Sequence, residues 1–238
     1  MKPIIFGEAR EVLARLTHDR ERTNILKNLE QKALVYLVQR IPRWIKSDGL
    51  TLIGFFGSLT VLVSFILASF VNKYWLFLGI PGFILNWFGD SLDGRLAYYR
   101  QTPRKWYGFS LDLIVDWLST ILIGFGYLVY TEGRWELVGY GFVVMYGWAM
   151  LLAIIRYKVT DKYIIDSGIM GPTEGRIIII AIMIAEIFIN GAMLYATLAI
   201  AALLFVFNIL DTIKLLSVAD KKDKALKNHE MTGKGQQQ

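Results

Sequence analysis

The sequence contains no cysteine, and its two histidines, His18 and His229, both lie in charged terminal segments. The absence of cysteine excludes disulfides, thiolate metal sites and cysteine nucleophiles. Two histidines in such places argue against a buried zinc site and against a histidine-based catalytic triad. Carboxylates must therefore carry any acid–base chemistry.

Charge is also scarce, since 19% of the 238 residues are charged whereas 55% are hydrophobic. The mean hydropathy of +0.43 is too apolar for an ordinary soluble domain. A net charge of +6 by itself fits either nucleic acid or an anionic membrane surface. The hydropathy favours the lipid bilayer, and no nucleic-acid partner is expected. The first residues lack the apolar core of a cleaved signal peptide.

Long apolar runs predict an all-α polytopic membrane protein with six transmembrane helices. The first run, residues 49–72, has 24 uncharged residues and is long enough to cross about 30 Å of hydrocarbon. The other spans are predicted at about 74–99, 108–131, 137–155, 173–190 and 193–216. Pro81 with Gly82 is expected to kink the second span. The chain thus divides into an N-terminal segment 1–48, a catalytic membrane domain 49–217 and a polar basic tail 218–238.

The N-terminal segment has apolar residues at helical spacing between Ile25 and Ile41, flanked by basic residues. This pattern predicts an amphipathic helix on the cytoplasmic leaflet, ended by Pro42. A soluble partner-binding or coiled-coil helix is the alternative. Basic residues concentrate in the segments around Arg100 and Arg156 and at both termini, so the positive-inside rule predicts that these are cytoplasmic.

Four aspartates, Asp90, Asp93, Asp112 and Asp116, form two pairs spaced three and four residues apart beside apolar runs. At helical spacing each pair shares one face. The short linker at 100–106 predicts that the two pairs meet at one membrane face. Like charges repel there, so a cation is expected among them, and oxygen ligands suit Mg²⁺ or Mn²⁺. Helix capping or solvated helix ends would explain one aspartate but not four.

The aspartates belong to a longer pattern, D-x-x-D-G-x-x-A, ten residues, then G-x-x-x-D-x-x-x-D, which includes Gly94, Ala97 and Gly108. This pattern resembles the signature of the CDP-alcohol phosphatidyltransferases, an integral-membrane enzyme family. The family usually has arginine directly after the alanine, whereas this chain has Tyr98. Arg100 and Arg104 are the candidates for the role of that arginine.

The resemblance implies a transferase of phospholipid biosynthesis that moves a phosphoalcohol or phosphatidyl group from a CDP-linked donor to an alcohol acceptor and releases CMP. It implies that Asp90, Asp93 and Asp112 are metal ligands and that Asp116 is both a ligand and the general base. CDP-diacylglycerol with a polyol acceptor is favoured, and CDP-choline or CDP-ethanolamine with diacylglycerol is the alternative. A homodimer is also implied.

Nucleotide contacts are expected from Thr51, Asp93, Gly94, Ala97 and Gly108. Thr51 lies in a stretch that looks like the family's Pro-Asn-x-(Leu/Ile)-Thr entry to the first span, and the alternative is a bond to the preceding helical turn. For the small residues, the alternative is close helix packing.

Three arginines are candidates for holding a substrate phosphate. Arg176 lies in a segment similar to the family's Glu/Arg-containing segment, and its planar guanidinium suits the role. Anchoring the span at the headgroup level is its alternative. Arg100 and Arg156 are further candidates, and Glu186 is interpreted as a hydrogen-bonding partner between helices.

Three other functions are compatible with intramembrane aspartates. A divalent-cation transporter predicts acids distributed through the membrane depth, whereas these cluster at one face. An intramembrane aspartyl protease needs two aspartates and usually a G-x-G-D signature, whose first glycine is missing before Asp90. An inactive scaffold is motivated by Tyr98, but the intact aspartates argue against it.

Overall fold

The computed structural model describes residues 26–131, 136–160 and 171–235, and throughout these ranges the regular structure is helical. The predicted all-α class is therefore confirmed for them. The first part of the N-terminal segment, the turn predicted at 132–134 and the polar stretch 161–170 lie outside the described residues.

The described helices are α1 (Lys27–Val38), α2 (Ser47–Phe70), α3 (Gly79–Tyr99), α4 (Lys105–Tyr130), α5 (Glu136–Thr160), α6 (Pro172–Phe188) and α7 (Ala192–Gly235). A 3-10 helix, Lys73–Leu78, leads directly into α3. Four of the helices, α2, α4, α5 and α7, are long and apolar enough to cross a membrane. This finding indicates a membrane protein.

Two details differ from the sequence-based expectations. The second span was expected to be one helix from about residue 74 with a kink at Pro81, whereas the chain changes from a 3-10 to an α-helix at Gly79 and Pro81 is the third residue of α3. Proline is tolerated there because the first N–H groups of a helix have no partner within it. The last helix does not end near Leu216 but continues to Gly235, so most of the polar tail is helical.

Close packing of α2 on α3 positions the first aspartate pair. A Cβ built on Gly57 would lie 2.6 Å from the backbone oxygen of Gly82, and one on Gly54 would lie 3.2 Å from the backbone nitrogen of Asp90. A Cβ on Gly89 would collide with the backbone of α2. Small residues allow such backbone contact between membrane helices. We call the surface formed by these four glycines the glycine seam.

Helix α1 packs on the same end of α2 and α3. Leu34 and Val38 are fully buried there in a cluster with Leu50, Leu92 and Leu96. Part of the predicted apolar stripe thus faces protein. The location of α1 on the membrane surface stays a prediction.

The turn between α6 and α7 is closed by Glu186. One carboxylate oxygen accepts hydrogen bonds from the Tyr130 hydroxyl at 3.2 Å and the Gly191 N–H at 3.1 Å, and the other accepts from the Met193 N–H at 2.7 Å. Gly191 has a φ of +86°, a left-handed conformation that glycine adopts readily. The predicted role of Glu186 as a hydrogen-bonding partner between helices is confirmed.

Candidate active site

The turn from α3 to α4 brings the two halves of the aspartate motif together. Helix α3 ends with hydrogen bonds of 2.9 Å from the Arg100 N–H to the Leu96 oxygen and from the Thr102 N–H to the Ala97 oxygen. Gln101, between them, has a φ of 58°. This is the left-handed cap that usually carries glycine or asparagine. The chain reverses within a few residues and α4 begins at Lys105.

Three carboxylates converge beside this turn. Asp90 of α3 and Asp112 and Asp116 of α4 each offer an oxygen, all within 4.8 Å of one another, and the three residues are half-buried. Three negative charges this close repel strongly unless a cation lies among them. The donors are hard carboxylate oxygens, the type that Mg²⁺ and Mn²⁺ prefer. The residues present therefore fit a divalent cation.

Asp93 is held slightly apart from these three. It is 8% exposed, and one carboxylate oxygen accepts a 2.6 Å hydrogen bond from the Thr51 hydroxyl. Its backbone oxygen accepts a 2.8 Å bond from the Ser47 hydroxyl. The Thr51 hydroxyl also lies 3.3 Å from the Ser47 carbonyl oxygen, but the contact with Asp93 is shorter. Thr51 thus joins the start of α2 to the motif, and Asp93 remains close enough to Asp112 to interact with it electrostatically.

Arg176 brings a positive charge from the first turns of α6. Its Nη2 donates to Asp90 at 2.6 Å, and its Nε donates to the side-chain oxygen of Asn86 at 2.7 Å. Asn86 lies one helical turn before Asp90. Of the three arginines proposed to hold phosphate, Arg176 is the one that the structure brings to the aspartates.

The start of α6 is itself held in place by Glu174. Its carboxylate accepts from the Gly171 N–H at 3.1 Å, which satisfies a donor at the helix start. It also accepts from the Leu26 N–H at 3.0 Å, just before α1. Glu174 is buried and therefore links the N-terminal helix to the helix that carries Arg176.

The other two candidate arginines take different partners. The guanidinium of Arg100 donates to backbone carbonyls between α1 and α2, at 3.2 Å to Ile41 and 2.9 Å to Pro42. Arg156 of α5 forms an ion pair with Asp211 of α7. Both arginines thus connect elements of the protein, and neither donates to the four motif aspartates in the part of the chain that the structure describes.

Arg104, the second candidate for the missing motif arginine, pairs with Asp48 at the start of α2. Its guanidinium also lies over the ring of Tyr107, 4.1 Å from the centroid. Arg100 and Arg104 therefore both tie the α3–α4 turn to the segment that enters α2.

The motif glycines face open space. A Cβ built on Gly94 or on Gly108 meets no atom of a neighbouring element within 4 Å among the described residues. Ala97 is half-buried. Against the described helices, Gly94 and Gly108 therefore make no close packing contact, which was the alternative considered for these small residues.

Asn86 and Ser58 are buried polar residues of this region that sequence reasoning missed. Each is a polar side chain within an otherwise apolar run, which in a membrane helix is itself a sign of function. The position of Asn86, four residues before Asp90, was the available signal.

The chain was compared with curated proteins and with models of protein families. No curated protein matches the chain at a significant level. The family model described as CDP-alcohol phosphatidyltransferase matches residues 44–209, which is well over half of the chain and includes the whole aspartate motif. The chain therefore belongs to the CDP-alcohol phosphatidyltransferase family and is a transferase.

Proposed function

We propose that the protein transfers the phosphatidyl group of CDP-diacylglycerol to a hydroxyl of a polyol or polyol phosphate and releases CMP. Family membership supports transfer from a CDP-alcohol, and the choice of donor and acceptor is the proposal. The observation that carries it is the convergence of the Asp90, Asp112 and Asp116 carboxylates within 4.8 Å. Such a cluster suits a pyrophosphate substrate, because a divalent cation held by the carboxylates would neutralise the negative charge of the pyrophosphate.

Asp90, Asp112 and Asp116 would hold Mg²⁺ or Mn²⁺, with Asp93 beside them. When bound, the cation would neutralise the pyrophosphate of the donor and stabilise the departing phosphate. The three aspartates offer oxygen ligands from two connected helices, α3 and α4, and this supports the assignment.

Asp116 is the proposed general base. The acceptor oxygen attacks the phosphorus that carries the diacylglycerol, and the bond from that phosphorus to the bridging anhydride oxygen breaks. CMP leaves with the bridging oxygen, and the hydroxyl proton passes to Asp116. The Asp116 carboxylate is half-buried next to Asp90 and Asp112, and its position beside the proposed metal ligands supports this role.

The remaining residues would bind and orient the donor. Gly94, Ala97 and Gly108 would lie against the nucleotide, and the open space beside both glycines supports this role. Asp93 would contact the nucleotide while Thr51 holds its carboxylate in place. We assign the substrate phosphate to Arg176 rather than to Arg100 or Arg156, whose guanidinium groups are engaged elsewhere.

We further propose six membrane crossings, α2 to α7, with the site and both termini in the cytoplasm. Helix α3 has 21 residues and α6 has 17, which correspond to roughly 31 and 26 Å at 1.5 Å per residue. These lengths support a crossing by both, in addition to the four longer apolar helices. Residues 49–217 would then form the catalytic domain. Helix α1 would lie at the lipid headgroups before this domain, and the basic tail 218–238 would follow it.

The homodimer implied by the family resemblance stays a prediction. Mass measurement of the protein in lipid nanodiscs distinguishes one copy from two.

The reaction is tested by CMP release from purified protein in lipid vesicles with Mn²⁺. CDP-diacylglycerol with polyol acceptors and CDP-choline or CDP-ethanolamine with diacylglycerol are supplied in turn. We expect acceptor-dependent release with the first donor and a loss of about 10²–10⁴-fold in Asp116→Asn. Asp220→Asn is the matched control, since that aspartate is exposed and pairs with Lys224.

Release with CDP-choline or CDP-ethanolamine instead would assign the protein to the branch of the family that uses diacylglycerol as the acceptor. Release with none of these pairs, or full activity in Asp116→Asn, would contradict the proposal.

A further inference from the structure

We propose that Asn86 is a positioning residue that orients the Arg176 guanidinium toward the substrate phosphate. This inference rests on the proposed function, in which Arg176 binds that phosphate. Asn86 itself lies 5% exposed within α3 and would act only through Arg176.

The orientation of the Asn86 amide is determined by its neighbours on α2. Its nitrogen donates to the Ser58 hydroxyl at 2.9 Å and to the Gly54 backbone oxygen at 3.3 Å. Because an amide nitrogen only donates, these two acceptors place the nitrogen toward α2. The amide oxygen therefore faces Arg176, whose Nε lies 2.7 Å away.

Two of the three guanidinium nitrogens of Arg176 are thus occupied by α3. Nε is held by Asn86 and Nη2 by Asp90, so the plane of the group is set at two points. The third nitrogen, Nη1, is buried and has no hydrogen-bond partner in the described part of the chain. A buried donor without a partner is costly, and an oxyanion of the substrate would satisfy it.

Without Asn86, the guanidinium would keep its hydrogen-bonded ion pair with Asp90 but would lose the second hydrogen bond that sets the plane of the group. Rotation about that contact would turn Nη1 away from the phosphate. Weaker binding of the phosphate-bearing substrate is therefore the expected consequence, rather than loss of the proton transfer assigned to Asp116.

Two substitutions of Asn86 separate this role from helix packing. Asn86→Leu and Asn86→Asp both lose the amide donor to α2, but Asn86→Asp keeps an acceptor for Arg176. We expect Asn86→Leu to lose roughly ten- to a hundred-fold in kcat/KM, mainly through KM, as for a hydrogen bond to a charged group. Asn86→Asp should stay within a few-fold of the wild type.

Ser64→Ala is the matched control. Ser64 is a buried serine of the same helix α2 whose hydroxyl donates to the Trp75 backbone oxygen at 2.9 Å rather than to Asn86, so kcat/KM should change by less than about three-fold. If Asn86 mattered only for packing, Asn86→Leu and Asn86→Asp would be equally impaired. That result would overturn the inference.

A double-substitution cycle tests whether Asn86 acts through Arg176. Arg176→Lys removes the Nε donor, so Asn86→Leu should cost little more in that background, less than about two-fold. Multiplicative losses would overturn the inference.

If Asn86→Leu does not fold, Arg176→Lys alone should show the same rise in KM, whereas Asn86→Asp should not. An unchanged KM in Arg176→Lys would overturn the inference.

Mn²⁺ binding to the substrate-free protein, followed by electron paramagnetic resonance, is the readout that does not depend on turnover. Asn86→Leu should bind Mn²⁺ within a few-fold of the wild type, because the hydrogen bonds of the Asn86 side chain in the described structure go to Gly54, Ser58 and Arg176 and not to the aspartates. Loss of Mn²⁺ binding would show that the substitution disrupts α3 and would overturn the positioning role. A wild type that binds Mn²⁺ but releases no CMP would instead contradict the proposed function.

Discussion

Glycine has opposite roles in the glycine seam and at the two motif glycines, Gly94 and Gly108. In the seam, Gly57 and Gly89 bring the backbones of α2 and α3 into contact, and no Cβ fits there. Further along α3, Gly94 has open space where its Cβ would be, and so does Gly108 on α4. Gly94 lies five positions after Gly89 on the same helix, so a packing glycine and a glycine beside open space are little more than one helical turn apart.

This difference shows how a membrane enzyme can hold charged groups in place. Asp90 immediately follows Gly89, so the closest contact between the helices lies directly beside a proposed metal ligand. A site carried by a rigid element keeps its geometry better than one carried by loops. Loss of the seam should therefore damage the fold and the site together, whereas filling the open space should damage the site alone.

The largest effect is expected from Gly57→Ala and Gly89→Ala. The added methyl group would meet backbone atoms that cannot move aside, and overpacking of this kind costs about 1–3 kcal/mol. We expect lower yields of monodisperse protein and earlier thermal unfolding in detergent. Gly141→Ala is the control, because a Cβ there meets no neighbouring atom within 4 Å among the described residues. Equal stability of the seam variants and this control would contradict the packing described.

Gly94→Ala and Gly108→Ala should leave the fold intact and impair the reaction. The structure offers room for the methyl group, and alanine favours helix formation over glycine by roughly 0.5–1 kcal/mol. We expect unchanged or slightly higher thermal stability with CMP release reduced about ten-fold or more, since the methyl group would occupy nucleotide space. The two quantities are measured on the same preparations. Undiminished CMP release would contradict a nucleotide contact at Gly94 and Gly108.

The smallest effect concerns the repulsion among the carboxylates. In the presence of a chelator, Asp112→Asn should raise the free energy of unfolding by up to about 1 kcal/mol, because it removes one of three converging negative charges. Adding Mn²⁺ should stabilise the wild type and have a weaker effect on the variant. Thermal unfolding with and without Mn²⁺ measures both changes, and Asp220→Asn should respond as the wild type does. A wild type that is indifferent to Mn²⁺ would argue against the metal site.

The sequence allowed the helices and the aspartate cluster to be predicted because both depend on local spacing. The first span was expected at 49–72 and is found as Ser47–Phe70, since a long uncharged run leaves the chain few alternatives in lipid. The meeting of Asp90 with Asp112 and Asp116 followed from helical periodicity and a short linker. The cap at Gln101 was not visible, because left-handed caps are usually marked by glycine.

What the sequence by itself determined is the class of protein, the approximate helices, the aspartate motif and, through that motif, the family. These are properties of neighbouring residues and of the hydrophobic effect along a short segment. Only the tertiary structure decided the partners across helices: Arg176 reaching Asp90 over 86 positions, Asn86 holding both α2 and Arg176, and Arg100 turning to the carbonyls before α2. The order of residues along a helix specifies its faces, but which faces meet depends on how all the helices pack together, and that packing is a property of the whole chain.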